Sequence, residues 1–401
     1  TKGLAEKGFG GFGKGLAVLF AVLCIGGSFG GKADGTGVAL CSLMSKTTGR
    51  PVKFVMDYDE EFQNMAMRHP ATMRVKAGAK RDGTITAWEA EIYLAGGAYA
   101  AYAPVPMGLQ GIMEIVGPYK IENVKIDSSQ VYTNTSPCSF ARAPGHVQSI
   151  FAGESHMDAL AKAIGMSPLD FRLQNVVHEG DDLPNGHHFE DLRVEETVHE
   201  AVDVSGYASP KSANVGRGMA IGSHSQIGGD AHVRVTVHED GRIEAGLPTF
   251  DPGVGTHTTV AQVVAEELNV PVERIEVVGW STDKGPFDFG VGGSRGARMY
   301  TTAGYAAVQE TKGNLKRLAA EFLGWSEEGI TFDSGNLVNA ANNERVPLEQ
   351  MATRAGAPVV GENSSMEGFD SPWTSFATHI AEVSVDPETA EVELLSDTAV
   401  H

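Results

Sequence analysis

Apolar and polar positions alternate on both sides of a polar turn at three places: 73–94 around Asp82-Gly83, 233–245 around Asp240-Gly241 and 379–395 around Pro387-Glu388. Each predicts a β-hairpin, because a period of two puts every second side chain on one face of a strand. Ile150, Phe151, Met157, Leu160, Ala161 and Ile164 instead recur at helical spacing and predict an amphipathic helix over 148–164, with two more over 258–268 and 301–322. Strands and helices follow one another without a regular βαβ alternation, so the expected class is α+β.

The apolar run 16–24 predicts a buried strand rather than a secretory leader or a membrane span, being too short for the about 20 residues a bilayer needs. The apolar stretch 51–57 predicts another strand, ending in Asp57. A polar, turn-rich stretch sets a boundary near 180–216. The expected organisation is a glycine-rich and apolar segment 1–24, a first domain 25–190, a linker 191–215 and a second domain 216–401, with a ligand site between the two mixed α/β domains.

Composition narrows the function. The chain has 401 residues and 51 acidic against 31 basic groups, a formal charge of -20 that disfavours nucleic acid and anionic membranes. Cys24, Cys41 and Cys138 are scattered and contain no Cys-x-x-Cys, so any iron–sulfur cluster has to come from another subunit. No His, Glu and Asp cluster has zinc-ligand spacing, and no nucleophile elbow is present.

Glycine-bearing loops carry the candidate chemistry. Residues 25–32 read Ile-Gly-Gly-Ser-Phe-Gly-Gly-Lys, and from Gly26 the spacing fits the phosphate-cradling Gly-x-x-x-x-Gly-Lys, with Ala33 where Ser or Thr would hold Mg²⁺. On that reading the protein binds a nucleotide, and Asp57 is the metal-binding aspartate of the second motif. On the other, the glycines form a wall of backbone amides around a large cofactor, with Phe29 packed between them. The Gly-x-Gly-x-x-Gly at 8–13 lacks a preceding strand and carries little weight. Three further loops lead into predicted helices and so offer anion-ready N-termini: 133–148 with Arg142, 250–257 (Phe-Asp-Pro-Gly-Val-Gly-Thr-His), and 290–298 (Gly-Val-Gly-Gly-Ser-Arg-Gly-Ala-Arg).

Taken in order, these segments resemble the molybdenum-cofactor subunit of the xanthine dehydrogenase and aldehyde oxidase family. The resemblance runs from Ile25 to the end. It includes Arg68-His69-Pro70, Gly96-Gly97-Ala98-Tyr99 and the cofactor loop 141–148. Its most specific part is Glu154-Ser155-His156-Met157-Asp158 with Gly165, Pro168, Arg172 and Asn175. Gly253-Val254-Gly255 is similar to the family's Gly-Gln-Gly loop, and 293–298 to its pterin loop.

What the resemblance implies is a molybdenum-pterin cofactor, molybdopterin or its cytosine dinucleotide, with no metal ligand from the protein itself. Its contacts would be Gly27, Ser28, Phe29, Gly30, Ala141, Arg142, Ala143, Gly253, Val254, Gly255, Gly296, Ala297 and Arg298. Ala33, Gln110 and Pro144 would line the substrate. The implied reaction oxidises a small molecule with oxygen from water and passes electrons to an iron–sulfur subunit and an FAD subunit. The implied compartment is the cytoplasm, with the periplasm as alternative.

Departures refine this. Val254 replaces the cofactor-bonding glutamine and Ala297 a serine, which keeps a cofactor-free scaffold open beside the nucleotide reading. Ala33 and Gln110 stand where purine-oxidising members carry a glutamate and an arginine, so an aldehyde or an aromatic N-heterocycle is expected instead. Pro137 before Cys138 argues against the copper site of carbon monoxide dehydrogenases, where the cysteine follows an arginine. The family's catalytic glutamate lies in a Gly-x-Gly-Glu segment that this chain lacks. The catalytic residue is therefore unknown, and the chain is expected to be a fragment or half of a split subunit, inactive alone, with a companion molybdopterin half.

Overall fold

The hairpins appear where the alternation places them. In the computed structural model, which describes residues 36–64, 66–99, 109–181, 192–225, 227–281, 283, 285–288, 290–367 and 374–401, the chain forms two units. One takes the described parts of Phe29–Ser225 and Pro372–His401, and the other those of Gln226–Ser371. The segments 16–24 and 25–33 lie outside the described residues.

The first unit begins with helices α1 (Thr36–Thr48) and α2 (Tyr58–Asn64). The stretch 51–57 is not the predicted strand: it is mostly exposed and without regular structure. Asp57 is instead half of a capping box, its carboxylate accepting the Glu60 N–H at 2.9 Å while the Glu60 carboxylate takes the Asp57 N–H at 3.0 Å. The metal-binding role expected of Asp57 has no support in this geometry.

Strands β1 (Ala71–Ala79) and β2 (Ile85–Gly97) form the first hairpin, antiparallel, and β3 (Asn123–Tyr132) joins β2 in parallel. The connection into β3 carries a 3₁₀ helix, Gln110–Ile115. Helix α3 (His146–Ile164) ends at Gly165 and is followed by α4 (Pro168–Asn175), started by a Ser167 cap and proline at its first position. Asn175 ties α4 to the hairpin turn, accepting from Ile85 N at 2.9 Å and donating to the Gly83 carbonyl at 2.9 Å. The expected linker contains helix α5 (Val194–Ser205), which buries Val194, Thr197, Val198 and Ala201, and is followed by β4 (Val215–Ser225).

The second unit is built on the hairpin of β5 (Gly229–Val237) and β6 (Ile243–Leu247), with helix α6 (Thr256–Leu268) crossing over to β7 (Ile275–Gly279), parallel to β6. Helix α7 (Gly296–Leu323) packs on this sheet; the short strands β8 (Ile330–Asp333), β9 (Asn336–Asn339) and β10 (Arg345–Pro347) form a separate ribbon. Helix α8 (Leu348–Ala355) leads into β11 (Val359–Glu367), giving the sheet order β11-β5-β6-β7. Val233, Val235, Leu247, Val260, Val264, Leu268, Ala303 and Ala307 close its core.

The chain then returns to the first unit as β12 (Thr374–Val385) and β13 (Val392–Val400), and β12 pairs with both β13 and β4. Thr197 on α5 and Thr378 on β12, both buried, share a hydrogen bond of 2.9 Å. By contact, then, β4 and the last hairpin belong with the first unit. Strand pairing across about 150 residues of sequence assigns β4 and the last hairpin to the first unit, and a hydrophobic pattern carries no information on such pairing. Both units are α+β. Among the described residues no helix is long and apolar enough to cross a membrane.

Candidate functional site

Helix α3 starts in a strained, tightly packed corner. Gly145, its N-cap, has φ of 84°, and no side chain caps the helix. A Cβ on Gly145 would lie 2.8 Å from the Ile112 nitrogen, and one on Gly111 would lie 2.5 Å from the Pro144 carbonyl, so glycine at both positions lets the 3₁₀ helix touch the loop backbone to backbone. Ala143 also has a positive φ, 57°.

Upstream, the segments that the sequence singled out come together. Ser139 N donates to the Met67 carbonyl at 2.9 Å and Cys138 N to the Gly96 carbonyl at 3.0 Å. Arg68 Nη1 reaches the Ala143 carbonyl at 3.4 Å, and Gln148 Nε2 the His69 carbonyl at 2.8 Å. Cys138 is buried with a thiol pushed up by burial, the opposite of what a reactive or metal-binding thiolate needs. Arg142 is exposed on this loop. Residue 110 opens the 3₁₀ helix beside Gly111, with its side chain outside the described residues.

Behind this corner α3 is anchored by charge. Glu154 accepts from Arg172 Nε at 2.9 Å, Tyr119 Oη at 2.8 Å and Ile221 N at 2.9 Å, and Arg172 also donates to Asp158 at 2.6 Å. Burial opposes the Arg172 charge, but the carboxylates of Glu154 and Asp158 outweigh it and hold the guanidinium protonated. The helix's buried face is correspondingly polar, with His146, Ser149 and Glu154 beside Met157 and Ala161, while Phe151 is exposed rather than on the core face its spacing predicts.

In the second unit the start of α6 is different. Gly255 caps it with φ of 82°, and the Asp251 carboxylate gathers the N–H groups of Gly253, Val254, Gly255 and His257 at 2.8, 2.9, 3.1 and 3.1 Å. Partial burial raises the Asp251 pKa, but these four bonds outweigh it and bring it below the usual range. The amides of 253–255 thus already hold an anion, and it is internal. The Val254 side chain is exposed.

Helix α7 starts beside α6: a Cβ on Gly296 would lie 2.8 Å from Thr256 Oγ1, which is buried without a hydrogen-bond partner. No side chain caps α7. Arg295, fully buried, donates to the carbonyls of Gly290 and Asp230 and lies 5.7 Å from the Tyr300 ring centroid. Tyr300 in turn donates to Asp288, which accepts the Gly290 N–H at 2.6 Å. Arg295 and Asp288 therefore brace the loop from within. Sequence reasoning missed the roles of both, as it missed that of Asp251, because so many of their partners are backbone groups. Ala297 is exposed and Arg298 half-buried in the first turn of α7.

Each unit therefore has one long helix whose start no side chain caps, α3 in the first and α7 in the second, and the α7 start lies beside the buried Thr256 hydroxyl. Gly27, Ser28, Phe29, Gly30 and Ala33 lie outside the described residues. An open cleft of about 550 Å³ in the first unit, lined by His69, Met73, Gln148, Phe151 and His156 among others, includes none of the expected cofactor residues.

Two family models match the chain, each described as a molybdopterin cofactor-binding domain, over residues 17–176 and 197–401. Among curated proteins, a probable xanthine dehydrogenase subunit of Bacillus subtilis is 28% identical over 400 residues, covering 92% of this chain and 52% of that protein. The nicotinate dehydrogenase large molybdopterin subunit of Eubacterium barkeri is 37% identical over 187 residues, 45% of this chain and 44% of that protein. Among solved structures, quinoline 2-oxidoreductase from Pseudomonas putida 86 superposes with a TM-score of 0.81 at 22% identity, over 96% of this chain and 56% of that one, a likeness of fold. The chain spans about half the length of the curated relatives it matches.

Proposed function

Because this chain belongs to the molybdopterin cofactor-binding domain family, we propose that it is the molybdenum-cofactor part of a hydroxylase that oxidises an aldehyde or an aromatic N-heterocycle with oxygen drawn from water. The observation that carries the reading is the family match in both halves of the chain. The electrons leave through iron–sulfur and FAD groups held outside these 401 residues, whose scattered cysteines cannot hold a cluster, and partner subunits are the proposed carriers.

The residues present suit such a group. In the second unit the uncapped start of α7, with Gly296, Ala297 and Arg298, offers amides and a positive dipole end to its anionic parts, and in the first unit the uncapped start of α3, with Arg142 and Ala143, is a separate candidate contact of the same kind. The partnerless Thr256 hydroxyl is a further donor at the α7 start. The 253–255 loop contributes shape instead, since Asp251 takes its amides. When bound, the cofactor supplies the two-electron redox chemistry, and the chain supplies position and polarity.

The substrate class rests on Ala33 and Gln110 in place of the charged pair expected for purines. Of the similar proteins, one is named for an aromatic N-heterocycle other than a purine, nicotinate, which supports the same class, and the Bacillus subtilis relative is named for xanthine. The test is metal and pterin analysis of the protein purified with its native partners. Molybdenum and a pterin nucleotide in about equal amounts to the chain are expected; a partnered, folded protein holding neither would make it a scaffold. Urate formation from xanthine at a rate matching oxidation of the best aldehyde or N-heterocycle would overturn the substrate class.

A further inference from the structure

The 3₁₀ helix Gln110–Ile115 is wedged between α3 and β4 with almost no clearance. Besides the contacts at Gly111 and Gly145, a Cβ on Gly153 of α3 would lie 2.5 Å from the Ile115 carbonyl. Glu114 is the helix's single ionisable residue, and the Ser223 hydroxyl of β4 donates to its carboxylate. Residues i and i+3 eclipse in a 3₁₀ helix, so Glu114 shares a face with Gly111, against which His146 Nδ1 is packed. His146 stacks on His224, the neighbour of Ser223, at 4.5 Å between ring centroids and 25° between planes, and its Nδ1 lies 3.3 Å from the Pro144 carbonyl.

We propose that Glu114 is a positioning residue: with the Ser223 hydroxyl it fixes the 3₁₀ helix against β4 and so holds Gln110 and the Pro144–His146 turn in register, and the seam loosens when water enters it to solvate the ionised carboxylate. The inference rests on the reading of Gln110 and Pro144 as substrate contacts.

Burial pushes the Glu114 carboxyl up to about 7, with the Ser223 bond pulling the other way. The groups facing it from the packed elements do not neutralise its charge. On α3, burial and then His224 disfavour the charged form of His146, and Glu154 is committed to Arg172, Tyr119 and Ile221 N. On β4 the remaining titratable neighbour is His224. A charged Glu114 therefore sits in a poorly solvated place, with His224 as the titratable neighbour on β4 among the described residues, and water has to enter the seam to stabilise it. The linkage has a definite sign. A carboxyl raised from 4.5 to about 7 gives stability that is complete below about 4.5 and is lost as pH rises through about 7.

The test uses the complete complex in wild-type, Glu114→Gln and Ser223→Ala forms. The first readout is the thermal midpoint between about pH 5 and pH 8, which needs no turnover. Wild type should lose several degrees across this range with an inflection near 7, and Glu114→Gln should lose that component. Ser223→Ala keeps the carboxyl but removes the bond that lowers its pKa, so its inflection should move to higher pH; this variant decides the matter if Glu114→Gln does not fold. The second readout is the split of the pH profile. Alkaline loss should appear in KM, severalfold between about pH 6 and pH 8, with kcat little changed, and should be absent in Glu114→Gln. Identical pH dependence of the midpoint in all three forms would overturn the proposal. Molybdenum content, measured on the same samples, separately decides the cofactor reading.

Discussion

Helices α3 and α6 begin alike and differ in what their first turns leave open. Each is entered through a glycine in the left-handed region, Gly145 at φ 84° and Gly255 at φ 82°, and each follows a loop rich in small residues. At α6 four backbone donors are already spent on Asp251, whose carboxylate also neutralises the positive end of the helix dipole. At α3 no side chain does this, and the exposed Arg142 adds positive charge. A glycine loop before a helix is therefore an anion site only where no acidic residue of its own reaches back into it.

An uncapped start has to be held from elsewhere, and for α3 the hold is Glu154 with Arg172. The largest expected effect is that of Arg172→Ala, which strands a buried carboxylate and should cost about 3–5 kcal/mol in denaturant unfolding. A loss below about 1 kcal/mol would mean that α3 is held mainly by its apolar contacts.

The two N-caps separate next. Gly145→Ala meets both the positive φ and the Ile112 nitrogen 2.8 Å from the new Cβ, so about 1–3 kcal/mol is expected from strain alone, with more from the overlap. Gly255→Ala has nothing within 4 Å of its Cβ and should cost the strain alone, about 1–3 kcal/mol, with no overlap added. Equal shifts in thermal midpoint for the two would show that the 3₁₀ helix yields at the α3 corner.

Asp251→Ala frees the α6 amides and should cost about 1–2 kcal/mol near neutral pH, the range of a lost helix cap. Its lowered pKa sets the sign. The stabilisation is present above the ordinary aspartate value of 3.8 and fades as pH falls through the depressed folded value, so the wild-type and variant stability curves should converge in acid. Curves that stay parallel down to about pH 2 would show that the carboxylate's charge plays no part.

These contrasts also mark what the residue pattern could reveal. The hairpins around Asp82-Gly83, Asp240-Gly241 and Pro387-Glu388 were legible because alternation and turn chemistry are local, and so were the helices α3, α6 and α7, apart from starts that lie two to five residues earlier than the apolar spacing suggests. The partnership of β12 with β4 was not, since pairing between distant strands leaves no mark on either alone. Helix α5 was hidden in the polar stretch 191–215 by a stripe of only Val194, Thr197, Val198 and Ala201. At the candidate site the loops at 141–145, 253–255 and 296–298 stood out by their glycines and arginine. The roles of Asp251 and Arg295 did not, because both are defined by backbone groups that every residue carries. Asp57 misled for the converse reason: a capping box and a strand-end metal ligand look alike until the donor is known.

The smallest expected change in stability is the one that bears most directly on the α6 loop. The Val254 side chain is 46% exposed, and its residue contributes a backbone N–H to Asp251, a bond that any non-proline residue can keep. Val254→Gln should therefore leave the thermal midpoint within about 0.5 kcal/mol of wild type, as an exposed substitution away from special features does. It also restores the polar side chain that the resemblance expects at this position. If the loop lies against the cofactor, one new hydrogen bond of about 0.5–1.5 kcal/mol should slow molybdenum loss from the complex during dialysis by roughly two- to tenfold. Retention unchanged from wild type, with stability also unchanged, would place the α6 loop away from the cofactor.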